Sequence, residues 1–157
     1  MSSITITTPV GPFTIVGRGD AVLAAGFTDD VDALRVPVPA DDSDLDRFTK
    51  AAFAYFDGDL TAIDAIPVEQ PGAPFLSEGW AALRAIPAGA PISYTALAAA
   101  LDRPRAVRAA AQACARNAAA LFVPCHRVVR TDGTLGGYRW GIEIKRRLLS
   151  HEGETGS

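Results

Sequence analysis

Short alternations of apolar and polar residues fill the first thirty positions. Ile4-Thr5-Ile6-Thr7 alternates, Phe13-Thr14-Ile15-Val16 continues the pattern, and Ala21-Val22-Leu23 follows. Pro9-Val10-Gly11-Pro12 and residues 17–20 separate these runs. A period of two, bounded by glycine and proline, predicts a meander of short antiparallel strands. Residues 29–46 are acidic and proline-bearing and read as a loop. Ser43, followed three residues later by Asp46, predicts a capping box. The helix beyond it sets Leu45, Phe48, Ala52 and Phe56 near one face and ends at Gly58. Residues 60–68 read as one more strand.

Pro71-Gly72-Ala73-Pro74 is the candidate boundary between a scaffold half, 1–73, and a second half, 74–157. Residues 75–86 predict a helix with Phe75, Trp80 and Leu83 facing a core, broken by Pro87 to Pro91. Ser93 is placed to cap a short helix over 94–101, and Asp102-Arg103 makes a turn. Pro104 stands where a first helical residue tolerates proline, opening a helix to about residue 116 that Asn117 ends in a left-handed conformation. Two short helices joined by a tight turn predict a helix-turn-helix. Ala106, Ala109, Ala110 and Ala113 give the second helix a small-residue surface that suits another backbone or a groove. The apolar run 119–123 predicts a buried strand with Cys125 at its exit. The fold class is therefore α/β of the α+β kind: a small N-terminal antiparallel sheet with a helix, then a mostly helical C-terminal half.

Composition narrows the class. The chain has 157 residues, 48% hydrophobic and 21% charged, which excludes disordered, collagen-like and coiled-coil chains. No apolar stretch approaches the roughly 20 residues of a membrane helix, so no membrane partner is expected. The start, Met1-Ser2-Ser3-Ile4-Thr5, lacks the basic and apolar regions of a signal peptide, and the expected location is cytoplasmic. Cys114, Cys125, His126 and His151 are the only cysteines and histidines, too few for a disulfide framework, and no metal site is expected.

The net charge of −3 hides a division. Residues 1–78 carry 4 basic and 13 acidic side chains, a net −9, against 11 basic and 5 acidic ones, a net +6, in residues 79–157. Such asymmetry fits a polyanion-facing half joined to an acidic scaffold, and equally a solvated surface that segregates by chance.

Chemistry enters at Pro124-Cys125-His126-Arg127-Val128. A cysteine acts as a nucleophile only as its thiolate, which an adjacent imidazole base and nearby Arg108, Arg127 and Arg130 would favour. On a strand, neighbouring side chains point to opposite faces, so His126 reaches Cys125 only through a bend or a water. A bare Cys-His pair is as compatible with a buried structural cysteine beside a satisfied histidine.

The surrounding residues extend the pattern: Ser93-Tyr94, Arg105-Ala106-Val107-Arg108, Asn117 eight residues before Cys125, Gly137-Tyr138-Arg139-Trp140-Gly141, Lys145, Leu148-Leu149 and His151-Glu152-Gly153. In order and spacing these resemble the O6-alkylguanine-DNA alkyltransferases, nearest in motif to the C-terminal domain of the bacterial adaptive-response methyltransferases. The resemblance covers most of residues 75–153. It implies direct-reversal DNA repair, an irreversible single-turnover transfer of the alkyl group from O6-alkylguanine, and from O4-alkylthymine, to the protein's own Cys125, with no cofactor. It implies that His126 deprotonates Cys125 through a water and is held by Glu152. Tyr94 would donate to the purine, and Asn117 would bridge the helices and the active-site turn. Val128, Tyr138 and Arg139 would form the pocket. Arg108 would be the finger that replaces a flipped nucleotide, with Ala106 and Ala109 against the minor groove of double-stranded DNA and Arg105, Arg116 and Arg130 on phosphates. The implied state is a monomer, with cooperative binding along DNA left open. Two other classes compete: a non-catalytic alkylguanine-DNA binder or regulatory module, whose known examples lack the acceptor cysteine, and an unrelated Cys-His hydrolase, in which a basic alanine helix has no purpose.

Overall fold

The computed structural model describes residues 1–156. They divide into two compact units, Met1–Gln70 with Ala118–Phe122, and Pro71–Asn117 with the chain from Val123 onward.

In the first unit the N-terminal alternation becomes an antiparallel meander of β1 (Ser3–Thr8), β2 (Gly11–Arg18) and β3 (Ala21–Gly26). Ser3 pairs with Val16 and Thr8 with Gly11, a register set by the tight turn at Pro9-Val10. Helix α1 (Leu45–Phe56) covers this sheet through Phe48, Ala51, Ala52 and Tyr55, a face one residue away from the expected one that leaves Phe56 half-buried, edge-on to Tyr55. The capping box does not form. Asp44 is the N-cap and makes no side-chain capping hydrogen bond, and Ser43 Oγ is buried with no hydrogen-bond partner among the described residues.

Neither residues 60–68 nor 119–123 form a strand. The first segment is mainly a 3-10 turn, Ala62–Ala65. Val68 and Ala119 each make a single parallel bridge, to Val22 and Ala25 of β3. Pro67 and Pro71 flank Val68 and lack the N–H that further pairing needs. After Ala119 the fully buried Leu121 takes a left-handed φ of 72°, which ends any extended run.

The second unit is helical. It contains α2 (Pro74–Arg84), α3 (Tyr94–Ala100), α4 (Val107–Ala115) and α5 (Ile142–Gly156). Between them β4 (Ile92–Ser93) runs parallel to β5 (Val128–Val129). Ser93 caps α3 as its sequence implies, its hydroxyl accepting from the Ala96 amide. Helices α3 and α4 form the helix-turn-helix, with Asp102 at φ 57° in the turn. Two expectations fail around α4. Pro104 lies in the turn rather than at the first helical position, and Asn117 is not left-handed; the helix closes at Arg116, with φ −97° and ψ 6°.

The alanine face of α4 is also divided. Ala110 and Ala113 are buried, leaving Ala106 and Ala109 half-exposed. Trp80 of α2 donates its indole N–H to Ala113 O at 3.0 Å, satisfying one of the carbonyls that a helix end leaves unpaired. A Cβ at Gly79 would lie 2.6 Å from Ala113 Cβ, so these helices approach where α2 has no side chain. Gly79→Ala should therefore destabilise the fold. Helix propensity favours alanine by about 1 kcal/mol, but neither clashing carbon can rotate away, and overpacking costs about 1–3 kcal/mol. Thermal melting should show a fall of a few degrees, relieved by adding Ala113→Gly. An unchanged melting temperature would contradict this packing.

Candidate active site

The turn after Pro124 brings the site together. Cys125–Arg127 is a 3-10 turn, so consecutive side chains here do not alternate between two faces as they would on a strand. Cys125, His126 and Arg127 are all buried.

Glu152 reaches this turn from α5. Its Oε2 accepts from His126 Nε2 at 2.7 Å, and Arg127 grips both carboxylate oxygens, Nε to Oε1 at 3.0 Å and a terminal nitrogen to Oε2 at 3.0 Å. The other terminal nitrogen of Arg127 donates to Ile86 O at 2.8 Å. His126 and Glu152 are completely buried. Burial alone would raise the Glu152 carboxyl, but the hydrogen bonds and charges of His126 and Arg127 outweigh it and hold the group at about 2. Burial lowers the His126 imidazole despite Glu152. At neutral pH an ionised carboxylate thus faces a neutral ring, which fixes the hydrogen on Nε2 and leaves Nδ1 with its lone pair. Nδ1 is buried and has no hydrogen-bond partner among the described residues.

Around Cys125, burial pushes the thiol up, opposed by the Asn117 side chain and by the charge of Lys145. Asn117, just beyond α4, donates Nδ2–H to Val123 O at 2.8 Å and so ties the helix end to the segment leading into the Cys125 turn. Tyr94 opens α3 half-buried, its phenol also raised by burial. A Cβ at Gly136, whose φ is +74°, would lie 3.2 Å from the Tyr94 hydroxyl, so the backbone of the 133–141 loop runs against that oxygen. Tyr138 buries its hydroxyl with no hydrogen-bond partner among the described residues, and the Cys125 and Glu152 charges add to burial in raising it well above the ordinary tyrosine range.

The other predicted arginines lie on the surface, and Arg130 runs beside Tyr94, the same Cβ at Gly136 falling 3.5 Å from its Cγ. Arg108, Arg105, Arg116 and Arg130 are exposed, the first near the start of α4 and Arg105 in the turn before it. Arg139 is exposed with its guanidinium 4.5 Å from the centre of the Trp140 ring. Among the described residues no three His, Cys, Asp or Glu side chains gather to hold a metal ion.

Residues 74–154 match the family model for the 6-O-methylguanine DNA methyltransferase DNA-binding domain. A methylated-DNA–protein-cysteine methyltransferase of Methanosarcina barkeri is 35% identical over 151 residues, spanning 94% of each chain. The chain belongs to the 6-O-methylguanine DNA methyltransferase family. The Ada protein of Escherichia coli, a bifunctional transcriptional activator and DNA repair enzyme, is 53% identical over 90 residues, which span 57% of this chain and 25% of Ada. Of solved structures, the Mycobacterium tuberculosis OGT in complex with DNA superposes with a TM-score of 0.85 at 32% identity, covering 99% of this chain and 94% of that one.

Within this methyltransferase framework, sequence reasoning missed two roles. Arg127 was expected to favour the cysteine anion, yet its guanidinium is committed to Glu152. Lys145 carried no role, yet it is buried. A signal for both existed in α5, where Lys145, Leu148 and Glu152 recur at helical spacing and all three are fully buried. Two charged residues on an otherwise apolar stripe mark a helix that delivers charge into a site.

Proposed function

We infer that this protein repairs alkylated DNA by moving the alkyl group from O6 of guanine, and from O4 of thymine, onto Cys125 Sγ. The reading rests on one observation above all: a buried cysteine next to a buried histidine whose Nε2 meets the buried Glu152 carboxylate and whose Nδ1 has no hydrogen-bond partner among the described residues. A water between Nδ1 and Sγ carries the proton from thiol to imidazole, and Glu152 stabilises the imidazolium. The thiolate attacks the alkyl carbon in line. The S–C bond forms as the C–O bond breaks, and the electron pair passes to the purine. Tyr94, kept as a phenol by burial, donates a hydrogen bond to the ring as that charge develops. The thioether is stable, so each molecule reacts once.

The reacting carbon is inaccessible inside a duplex, so the nucleotide is flipped into the pocket beside Val128, Tyr138 and Arg139. Helix α4 enters the minor groove through Ala106 and Ala109, with Arg108 filling the vacated stack and Arg105, Arg116 and Arg130 on phosphates.

The deciding experiment incubates the protein with a duplex containing O6-methylguanine and records its intact mass. A stoichiometric gain of one methylene, assigned to the Cys125 peptide, is expected. A bound but unmodified protein would replace this reading with that of a non-catalytic binder, and turnover of an ester or amide with that of a hydrolase. Affinity for undamaged duplex should also fall steeply with salt. Three phosphate-neutralising arginines give a log–log slope of about −3. A flat titration would contradict the arginine surface.

A further inference from the structure

Gln70 lies outside the motif series, yet its side chain meets the backbone immediately after Asn117. Strand β3 is an edge of the sheet, and two short segments bridge it in parallel, Val68 at Val22 and Ala119 at Ala25. At the first bridge Val22 N–H donates to Pro67 O at 2.8 Å and Val22 O accepts from Glu69 N–H at 2.9 Å. At the second, Ala25 N–H donates to Ala118 O at 2.9 Å and Ala25 O accepts from Ala120 N–H at 3.0 Å. The Ala118 N–H has no place in that second bridge. Gln70, the residue after Glu69, supplies its acceptor through Oε1 at 2.8 Å. An apolar side chain would fill this half-buried position equally well but would take that acceptor away.

The Ala118 amide belongs to the planar peptide group that Asn117 begins, so holding it fixes the backbone on which the Asn117 side chain is mounted. Asn117 is buried, its Nδ2 donates to Val123 O at 2.8 Å, and its side chain opposes the burial that raises the Cys125 thiol. The chain between these two points turns through the buried, left-handed Leu121 and sets Phe122 6.2 Å from Phe13 of β2, ring centre to ring centre. We propose that Gln70 is a positioning residue for the transfer, its Oε1 holding the Asn117–Ala118 peptide so that the Asn117 amide stays aimed at Val123 O and the Cys125 turn. This rests on Cys125 being the acceptor.

The test times methyl transfer from a saturating O6-methylguanine duplex in a single turnover, for the full chain and its Gln70→Leu and Gln70→Glu variants. Leucine removes the acceptor at nearly constant size, and glutamate keeps an oxygen in its place. Gln70→Leu should lower the limiting rate about tenfold, as small misplacements near a reacting group do, with the half-saturating DNA concentration within about twofold of wild type. Gln70→Glu, which keeps the hydrogen bond, should stay within about twofold in both. In an Asn117→Ala background the Gln70→Leu change should cost less than about twofold more, because residues acting through one contact are not additive. Unaltered transfer by Gln70→Leu overturns the proposal, as does equal slowing in Gln70→Glu or an undiminished loss on top of Asn117→Ala. Should Gln70→Leu melt below the assay temperature, Gln70→Met replaces it under the same criteria. Iodoacetamide capture of Cys125, followed by peptide mass to separate it from Cys114, should slow in Gln70→Leu by a similar factor and needs no DNA. A wild-type chain that captures iodoacetamide but takes no methyl group therefore refutes the repair reading, and the capture rates still decide the role of Gln70.

Discussion

Glu152→Gln should lower stability by about 3–5 kcal/mol and slow methyl transfer by about a hundredfold or more. The stability loss follows from removing one partner of a buried pair, since Arg127 would keep its charge with no anion to face it. For a chain of this length it corresponds to a fall in melting temperature of roughly 6–20 °C. The rate loss has a separate origin. A neutral amide neither fixes the His126 tautomer nor stabilises the imidazolium, and removing such a group typically costs orders of magnitude.

The pH dependence distinguishes these effects from generic damage. Glu152 falls from an ordinary value of 4.5 to about 2 on folding, so its contribution is present above pH 4.5 and is lost as pH drops from there towards 2. The shift corresponds to about 3 kcal/mol. His126 is likewise lowered from 6.5, so acid favours the unfolded chain, which takes up the proton first. Wild-type melting temperature should therefore decline below about pH 6.5 and more steeply below 4.5. In Glu152→Gln the limb below 4.5 should flatten. Parallel acid limbs would show that the carboxylate is not held by His126 and Arg127.

Arg108→Ala should slow transfer from duplex DNA by about a hundredfold while leaving the reaction with free O6-methylguanine within about twofold of wild type. Extruding a nucleotide costs a few kcal/mol of stacking and pairing, and each 1.4 kcal/mol is a factor of ten. Arg108 is exposed near the start of α4, so its loss leaves the buried cluster untouched and, on the proposed reading, removes the filler of the vacated stack. Single-turnover rates on both substrates provide the check. Equal losses on the two would transfer the finger role elsewhere.

Much of the fold was legible because it depends on near neighbours. The strand meander follows from two-residue alternation and its turns, and the α3 cap from Ser93 and the amide three residues on. The errors arise where distant contacts outweigh local preference. Residues 119–123 have the composition of a strand, but a left-handed Leu121 turns the chain after a single bridge to Ala25. Ser43 has the spacing of a capping box, yet α1 begins one residue later with Asp44 as its cap. In the site, Cys125, His126, Tyr94, Asn117 and Glu152 were identifiable from motif order, whereas the partners of Arg127 and Lys145 were not.

The sequence alone determined the local grammar of this protein: a strand meander, a capped helix-turn-helix, a basic second half and a motif series centred on Cys125. Tertiary structure decided how the charges are paired. Arg127 meets Glu152 across 25 residues, and Lys145 meets Val128 across 17, so adjacency in the chain predicts neither contact. The 3-10 turn and the inward stripe of α5 choose those partners, because a buried charge is tolerated only where folding supplies its counterpart. By giving Arg127 to Glu152, the fold leaves Lys145 to the carbonyls of Val128 and Gly137.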